Sequence, residues 1–265
     1  GIATMSYRHA IRGPESTQWL QAAHEEFIRL IDTTKTMRPI FQRDKPADRK
    51  ASYYNPQLKK KMKEVLGKWT EIYRVRGTYG GDISDYTGSC AAFTADMVTI
   101  KALFNSACST DKELMTTDIK DFYLGTPLER PEYMRVHRNQ LPQATIDLFD
   151  LEQYFEGDYI MFEIIKGIYG LAQAGKLAQD RLFLLLTKHG YIQDPATPCL
   201  FKHRTRDIAF ALVVDDFLVR YKLRADAEQL LTALHELYST TEDWSGSKFI
   251  GFDIPRERNI PVPTL

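Results

Sequence analysis

The sequence predicts an α+β fold with an antiparallel sheet packed on helices, and three observations carry that prediction. β-Branched, aromatic and aliphatic residues fill Ile208 to Val214 and Phe217 to Tyr221, interrupted only by Asp215-Asp216. That is the composition of two buried strands joined at a polar turn. Leucines at helical spacing lie on either side of this hairpin, at Leu177, Leu182, Leu184, Leu185 and Leu186 and at Leu230, Leu231, Leu234 and Leu237. Shorter strand-like segments at Met115–Ile119, Tyr133–Val136 and Tyr159–Ile165 are separated by helical ones, so sheet and helices share one core.

Taken in order, Gly13 to Ile31 reads as a helix with Trp19, Ala23, Phe27 and Leu30 on one face. Asp32 to Pro56 lacks periodicity and holds Pro39 and Pro46, which suggests irregular chain or short strands. The basic cluster Leu58-Lys59-Lys60-Lys61-Met62-Lys63 follows, then Tyr73-Arg74-Val75-Arg76; runs of this kind are usually solvated faces. Gly77 to Asp82 breaks regular structure. Phe93 to Ala107 reads as a helix, as does the stretch after Gly167-Ile168-Tyr169-Gly170-Leu171-Ala172-Gln173, to about Lys188. A short helix is expected between Val136 and Tyr159, another helix over Ala225–Tyr238, and a last strand over Phe249–Ile254.

With 265 residues the chain has length for one large or two small domains. Lys+Arg and Asp+Glu are 35 each, so a uniformly basic coat is excluded while a local basic cleft is not. Three widely spaced cysteines suggest a reducing compartment rather than a disulfide framework. No apolar run approaches the roughly 18 residues of a membrane span, and the N-terminus has no signal pattern, so an intracellular, soluble protein is expected.

The chemistry lies in carboxylates at strand ends. Asp is depleted in strands, yet Asp118 closes one predicted strand and Asp215-Asp216 interrupt another. Two such charges repel by about 1 kcal/mol at 4 Å in water and about 4 kcal/mol at an effective dielectric of 20. A hard divalent cation reverses the sign; a plain polar hairpin tip is the alternative. Should the two strands be neighbours, three carboxylates converge as a two-metal phosphoryl-transfer site requires. Arg74 and Arg76 share a face of any strand and suit bidentate grip on phosphate, although a solvated face uses the same residues. Tyr123 follows close enough to Asp118 to press on a sugar ring or to serve as core. Cys199 and His203 have no second pair, so no zinc site is expected.

These segments, in this order, resemble the reverse transcriptase domain of copia-type LTR retrotransposons over nearly the whole chain. Trp19-Leu20-Gln21-Ala22 with Glu26-Phe27 is similar to that family's opening Trp-x-x-Ala-x-x-x-Glu helix, and Tyr73-Arg74-Val75-Arg76 to its Tyr-Lys-Ala-Arg segment. Asp118-Ile119-Lys120 with Phe122-Tyr123-Leu124-Gly125 resembles the first catalytic motif, Asp-Val-Lys-x-Ala-Phe-Leu-x-Gly. Ile168 to Ala174 resembles Leu-Tyr-Gly-Leu-Lys-Gln-Ser/Ala, and Val213-Val214-Asp215-Asp216 resembles Tyr-Val-Asp-Asp. Phe249-Ile250-Gly251-Phe252-Asp253-Ile254 resembles the Phe-Leu-Gly-Ile-x-Ile primer grip.

The resemblance implies a right-hand polymerase fold with fingers and palm but no thumb: a fingers-rich part over 1–111 and a palm, with some fingers insertions, over 112–265. It implies RNA-directed DNA synthesis dependent on Mg²⁺, with Mn²⁺ as substitute. Asp118, Asp215 and Asp216 become catalytic metal ligands, with the Ile119 carbonyl added. Arg74, Arg76, Tyr123 and Gln173 become nucleotide-binding residues, Tyr123 as the gate against a 2′-hydroxyl. Phe249, Ile250, Gly251 and Phe252 become the primer grip. Implied partners are an RNA or DNA template with its primer, dNTPs and the rest of a Pol polyprotein (thumb and RNase H), with no membrane. Implied locations are the cytoplasm, within a virus-like particle, and the nucleus.

Several positions depart from the family pattern. Val213 stands in place of Tyr, Phe122 in place of a small residue, and Ala172, Gly175 and Lys176 in place of Lys, Pro and Arg. Thr240 to Trp244 lacks the usual Met-Lys-Asp-Leu-Gly, which leaves Lys248 as the candidate to protonate pyrophosphate. Because the sequence stops at Leu265, just after the primer grip, a fragment or a domain cut from a longer polyprotein is expected. The alternative to a polymerase is a catalytically inactive retroelement remnant that binds nucleic acid or protein.

Overall fold

Two compact units divide the chain, residues 1–90 with 123–177 and residues 91–122 with 178–265. The division expected at 111/112 is therefore not where the compact units part. The computed structural model describes residues 6–65 and 67–254.

In the first unit one sheet runs in the order Met37–Ile40, Tyr159–Lys166, Pro127–His137, Ala51–Val65 and Lys68–Tyr79. All neighbours are antiparallel except Ala51–Tyr53, which lies parallel to Tyr133–Arg135. The stretch from Asp32 to Pro56 thus holds one short strand and the start of a 15-residue one. Pro56 is tolerated because its strand has only the Lys68–Tyr79 neighbour beyond Tyr53. The basic cluster sits inside this same strand, in a hairpin paired from Tyr54↔Tyr79 to Val65↔Lys68.

Cross-strand partners share a face, and one face of the hairpin is apolar. There Val75 is buried with Trp19, Ala22 and Ala23 of helix Ser16–Ile28, and Trp19 meets Tyr73 edge-on at 4.9 Å. The α-helix stops at Ile28, short of the expected Ile31, and a π-helical turn covers Arg29–Thr33. Glu26, buried on this helix, accepts the Gly77 N–H at 2.9 Å, which explains how a carboxylate is kept inside. The larger core of the unit gathers Phe27, Leu30, Met134, Phe162, Ile164 and Leu171.

Gly170 fixes one corner of that core. Its φ is 85°, and a Cβ there would lie 2.2 Å from the Tyr79 carbonyl oxygen. The Tyr79 N–H meanwhile donates to the Tyr169 carbonyl at 2.7 Å, so the two backbones cannot part without losing a bond. Gly170→Ala is expected to cost about 2–4 kcal/mol, from left-handed strain plus overpacking. Thermal melting measures it, and an unchanged midpoint would show that the corner reseats freely.

In the second unit six antiparallel strands run in the order Thr240–Asp243, Glu113–Ile119, Asp216–Tyr221, Ile208–Val213, Leu200–His203 and Tyr191–Gln193. The central strand Ile208–Val213 is buried at every position but its last. One face stacks Phe201, Phe210 and Phe217 at centroid spacings of 5.1 Å. Ala209, Ala211 and Leu218 line the other, and the small size of the two alanines lets helix Met97–Ser109 pack on these two strands.

That helix begins at Met97, not at Phe93. Asp96 accepts the Thr99 N–H at 2.7 Å and caps it, while Gln179 holds the Phe93 backbone through two bonds of 2.9 and 2.6 Å. In helix Ala174–Lys188, Leu182, Leu185 and Leu186 are buried, but Leu184 points the opposite way and is exposed. The last helix, Arg224–Leu234, ends before Leu237, which is exposed as well. Phe249–Ile254 is not a single strand. Lys248–Phe249 pairs with Phe252–Asp253 across a turn in which Ile250 and Gly251 have φ of 44° and 88°. Two positive φ values are what a two-residue hairpin turn of this hand requires. No helix among the described residues is long and apolar enough to cross a membrane.

Candidate active site

Strand pairing in the second unit brings the three aspartates together. Asp118, near the end of Glu113–Ile119, lies opposite Asp216 on one side and Thr241 on the other. Asp215 occupies the turn closed by the Val213↔Asp216 pair. The Ile119 N–H donates to the Asp215 carbonyl at 3.0 Å and ties the turn to the neighbouring strand. One carboxylate oxygen from each aspartate lies within 4.8 Å of the others.

Val214 precedes Asp215 at φ 60°. A β-branched residue in the left-handed region costs about 1–3 kcal/mol and persists only where its surroundings hold it there. The strain sits at the turn residue that aims Asp215.

Electrostatics make the cluster a poor resting place for three negative charges. The Asp216 carboxyl is pushed up to about 6, first by burial and then by Asp215 and Asp118. Burial likewise raises Asp118, with Asp215 adding to the shift and Lys120 opposing it. Oxygen-only donors that are crowded and desolvated match a hard divalent cation, so these residues fit Mg²⁺ or Mn²⁺.

Beside them opens a cavity of about 350 Å³, bordered by Asp118, Asp216, Glu242, Lys248, Ile250 and Gly251. The Thr116 hydroxyl donates to the Lys248 carbonyl at 3.1 Å, which anchors the Phe249–Phe252 hairpin beside the aspartate strands. Phe249 is buried and Phe252 exposed. Lys248 is exposed and 3.6 Å from Asp253.

Arg74, Arg76, Tyr123 and Gln173 belong to the first unit. Arg74 and Arg76 share one face of the basic hairpin, opposite Lys59 and Gln57. The Arg76 guanidinium lies over the Tyr169 ring at 4.9 Å, and Tyr123 meets that ring edge-on at 5.5 Å. Tyr169 thus gathers two of the expected nucleotide residues, and only its place within Ile168–Ala174 marks it in the sequence. Gln173 is only 1% exposed, and its Nε2 donates to the buried Glu132 at 3.0 Å. In this conformation it braces a strand rather than offering its amide to a ligand. Glu132 also takes Arg49 at 2.7 Å, and nothing in the local sequence marks it for that part.

No protein-family model matches the chain. The chain is similar to the retrovirus-related Pol polyprotein from transposon TNT 1-94 of Nicotiana tabacum, 22% identical over 269 residues. That similarity covers 96% of this chain and 18% of the polyprotein, so the chain spans less than a fifth of its relative's length. The match supports an origin in a retrotransposon Pol polyprotein.

Proposed function

We propose that the chain is an RNA-directed DNA polymerase domain, with fingers and palm of a right-hand polymerase and the palm role in the second unit. One observation carries this reading: Asp118, Asp215 and Asp216 converge at one sheet edge with carboxylate oxygens within 4.8 Å, beside an anchored hairpin. In the reaction, the primer 3′-oxygen forms a bond to the α-phosphorus of a dNTP as the bond to pyrophosphate breaks. Mg²⁺ bound by Asp118, Asp215, Asp216 and the Ile119 carbonyl would supply charge neutralisation and a more acidic primer hydroxyl.

The protein's own groups bind and orient. The Ile250–Gly251 turn and the exposed Phe252 offer the primer end a wall beside the aspartates. Arg74 and Arg76 grip phosphate oxygens of the incoming nucleotide, the second held in place by Tyr169. Tyr123, half-buried against Tyr169, turns away a 2′-hydroxyl by contact. Gln173 supports Glu132 and the strand around it.

Primer extension on an annealed RNA template with dNTPs and Mg²⁺ tests the reading. Template-dependent extension is expected, and none from a folded chain would favour the inactive remnant. For Tyr123→Ala, preference for dNTP over rNTP in kcat/KM is expected to fall roughly 10–100-fold, the range of a single steric contact. Unchanged discrimination with a loss of about 3–5 kcal/mol in stability would instead make Tyr123 a core residue.

A further inference from the structure

The sheet of the second unit carries a cation on each side of one alanine. Strand pairing sets Lys202, Ala209 and Arg220 in a single row, and partners in a row share a face. Two strand spacings, about 10 Å, separate the basic residues. Helix Met97–Ser109 covers this row, and between helix and sheet lies a cavity of about 410 Å³, within the usual range of small-molecule sites. Its walls are mainly apolar, with Val98, Ala102, Leu103 and Leu200 beside Ala209. The charge that borders it is not balanced. Arg220 Nη1 donates to the Ser106 hydroxyl at 2.7 Å, Nη2 keeps only an ionic contact with Asp207 at 3.5 Å, and Nε is buried without a hydrogen-bond partner. Asp207 is itself held by Lys112 at 2.5 Å, and Lys202 has Asp194 at 3.6 Å. Across these contacts three cations share two carboxylates.

We propose that this cavity binds a small amphipathic carboxylate, its head over Ala209 between Lys202 and Arg220 and its tail against Val98, Leu103 and Leu200. A single negative charge matches the one positive charge left over. The guanidinium edge without a close acceptor, Nε with Nη2, is an edge that takes a carboxylate through two parallel bonds. The carboxylate meets Nη2 first, and a turn of the guanidinium toward the cavity gives Nε the acceptor it lacks. Ala209 leaves the room for this head, since a longer side chain there would fill the space between the two cations. The apolar wall calls for a tail that gains by leaving water. Arg220 follows Asp216 by four residues on one strand, roughly 14 Å along it, so the occupant does not reach the aspartates. Its binding requires neither metal nor nucleotide.

The test is isothermal titration calorimetry of the full chain with phenylbutyrate, beside its neutral amide and inorganic phosphate. Phenylbutyrate is expected to bind with a Kd on the order of 0.1–1 mM, as befits a ligand of its size. The amide should bind about tenfold more weakly or worse, and phosphate should give no heat of binding. Arg220→Gln is expected to bring the acid down to the affinity of the amide. Lys202→Gln, at an exposed rim position, should weaken the acid by only about twofold to fivefold. Because Arg220 is largely enclosed and its loss can disturb folding, Ala102→Trp gives a second route. Ala102 is exposed on the helix and borders the cavity, so the indole fills the space and should abolish binding by a chain that still melts like wild type. Equal affinity for acid and amide would reduce the cavity to an apolar groove, and phosphate as tight as phenylbutyrate would reduce it to an ion site. Unchanged binding by Ala102→Trp would place the ligand elsewhere. Any of these, or no binding by the wild type at roughly 10 mM, overturns the proposal. Since the titration holds no metal, nucleotide or template, its failure is separate from failure of primer extension.

Discussion

Asp215→Asn is expected to abolish primer extension, by roughly 10³-fold or more, while the chain stays folded. The substitution keeps shape and turn preference, since Asn is as suited to a hairpin turn as Asp. It leaves the Asp215 carbonyl free to accept the Ile119 N–H as before. What it removes is one negative charge from three crowded within 4.8 Å. In the metal-free protein that is relief, so the melting temperature should hold or rise. With the metal ligand lost, several kcal/mol of transition-state stabilisation disappear, and about 1.4 kcal/mol corresponds to each factor of ten. Extension within tenfold of wild type by a folded variant would remove Asp215 from the mechanism. Wild type and variant equally silent would fit the inactive remnant, with the aspartates kept as a polar turn.

Much of this site is legible in the sequence because strand chemistry is local. An Asp-Asp pair inside an otherwise apolar run admits few arrangements, and a hairpin turn is the least costly of them. Asp118 was visible for the same reason, as a charge at the end of a short strand. That it faces Asp216 rather than another position depends on register, which sequence spacing does not report. The basic cluster shows the limit from the other side. Four lysines in five positions read as one solvated run, but a strand alternates them, so Lys60 turns inward to Glu15 while Lys59, Lys61 and Lys63 form a strip.

Other features follow from contacts between segments distant in sequence. The helix at Met97 starts late because Asp96 caps it and Gln179 holds Phe93, and the second cause lies 86 residues away. Gln173 carried a motif that suggested an open role, yet Glu132 on another strand buries it. The Phe249–Ile254 run reads as a strand by composition. Gly251 is the local sign of a turn, but one glycine within an apolar run does not by itself locate it.

Proton and metal should compete at the same carboxylates, and the second large expected effect lies there. Asp216 is pushed up to about 6 in the folded chain from the ordinary 3.8. Its raised value means that the folded state holds the proton more tightly than the unfolded one. Below about pH 4 both states are protonated and the group has no differential effect. As pH rises through 6 the folded chain must ionise a crowded carboxylate, so metal-free stability falls across that window. After discount for solvent screening, the loss is on the order of 1–2 kcal/mol. Divalent metal binds only the ionised form, so it restores stability where the proton has left. Thermal melts with and without Mg²⁺ should show almost no shift at pH 5 and a clear rise at pH 8. Asp216→Asn should melt higher than wild type at pH 8 without metal and lose the Mg²⁺ response. A Mg²⁺ shift of equal size at both pH values would mean that the ion binds elsewhere. An asparagine variant less stable than wild type would mean that Asp216 is held by partners that stabilise its charge, and the cluster would then have no need of a cation.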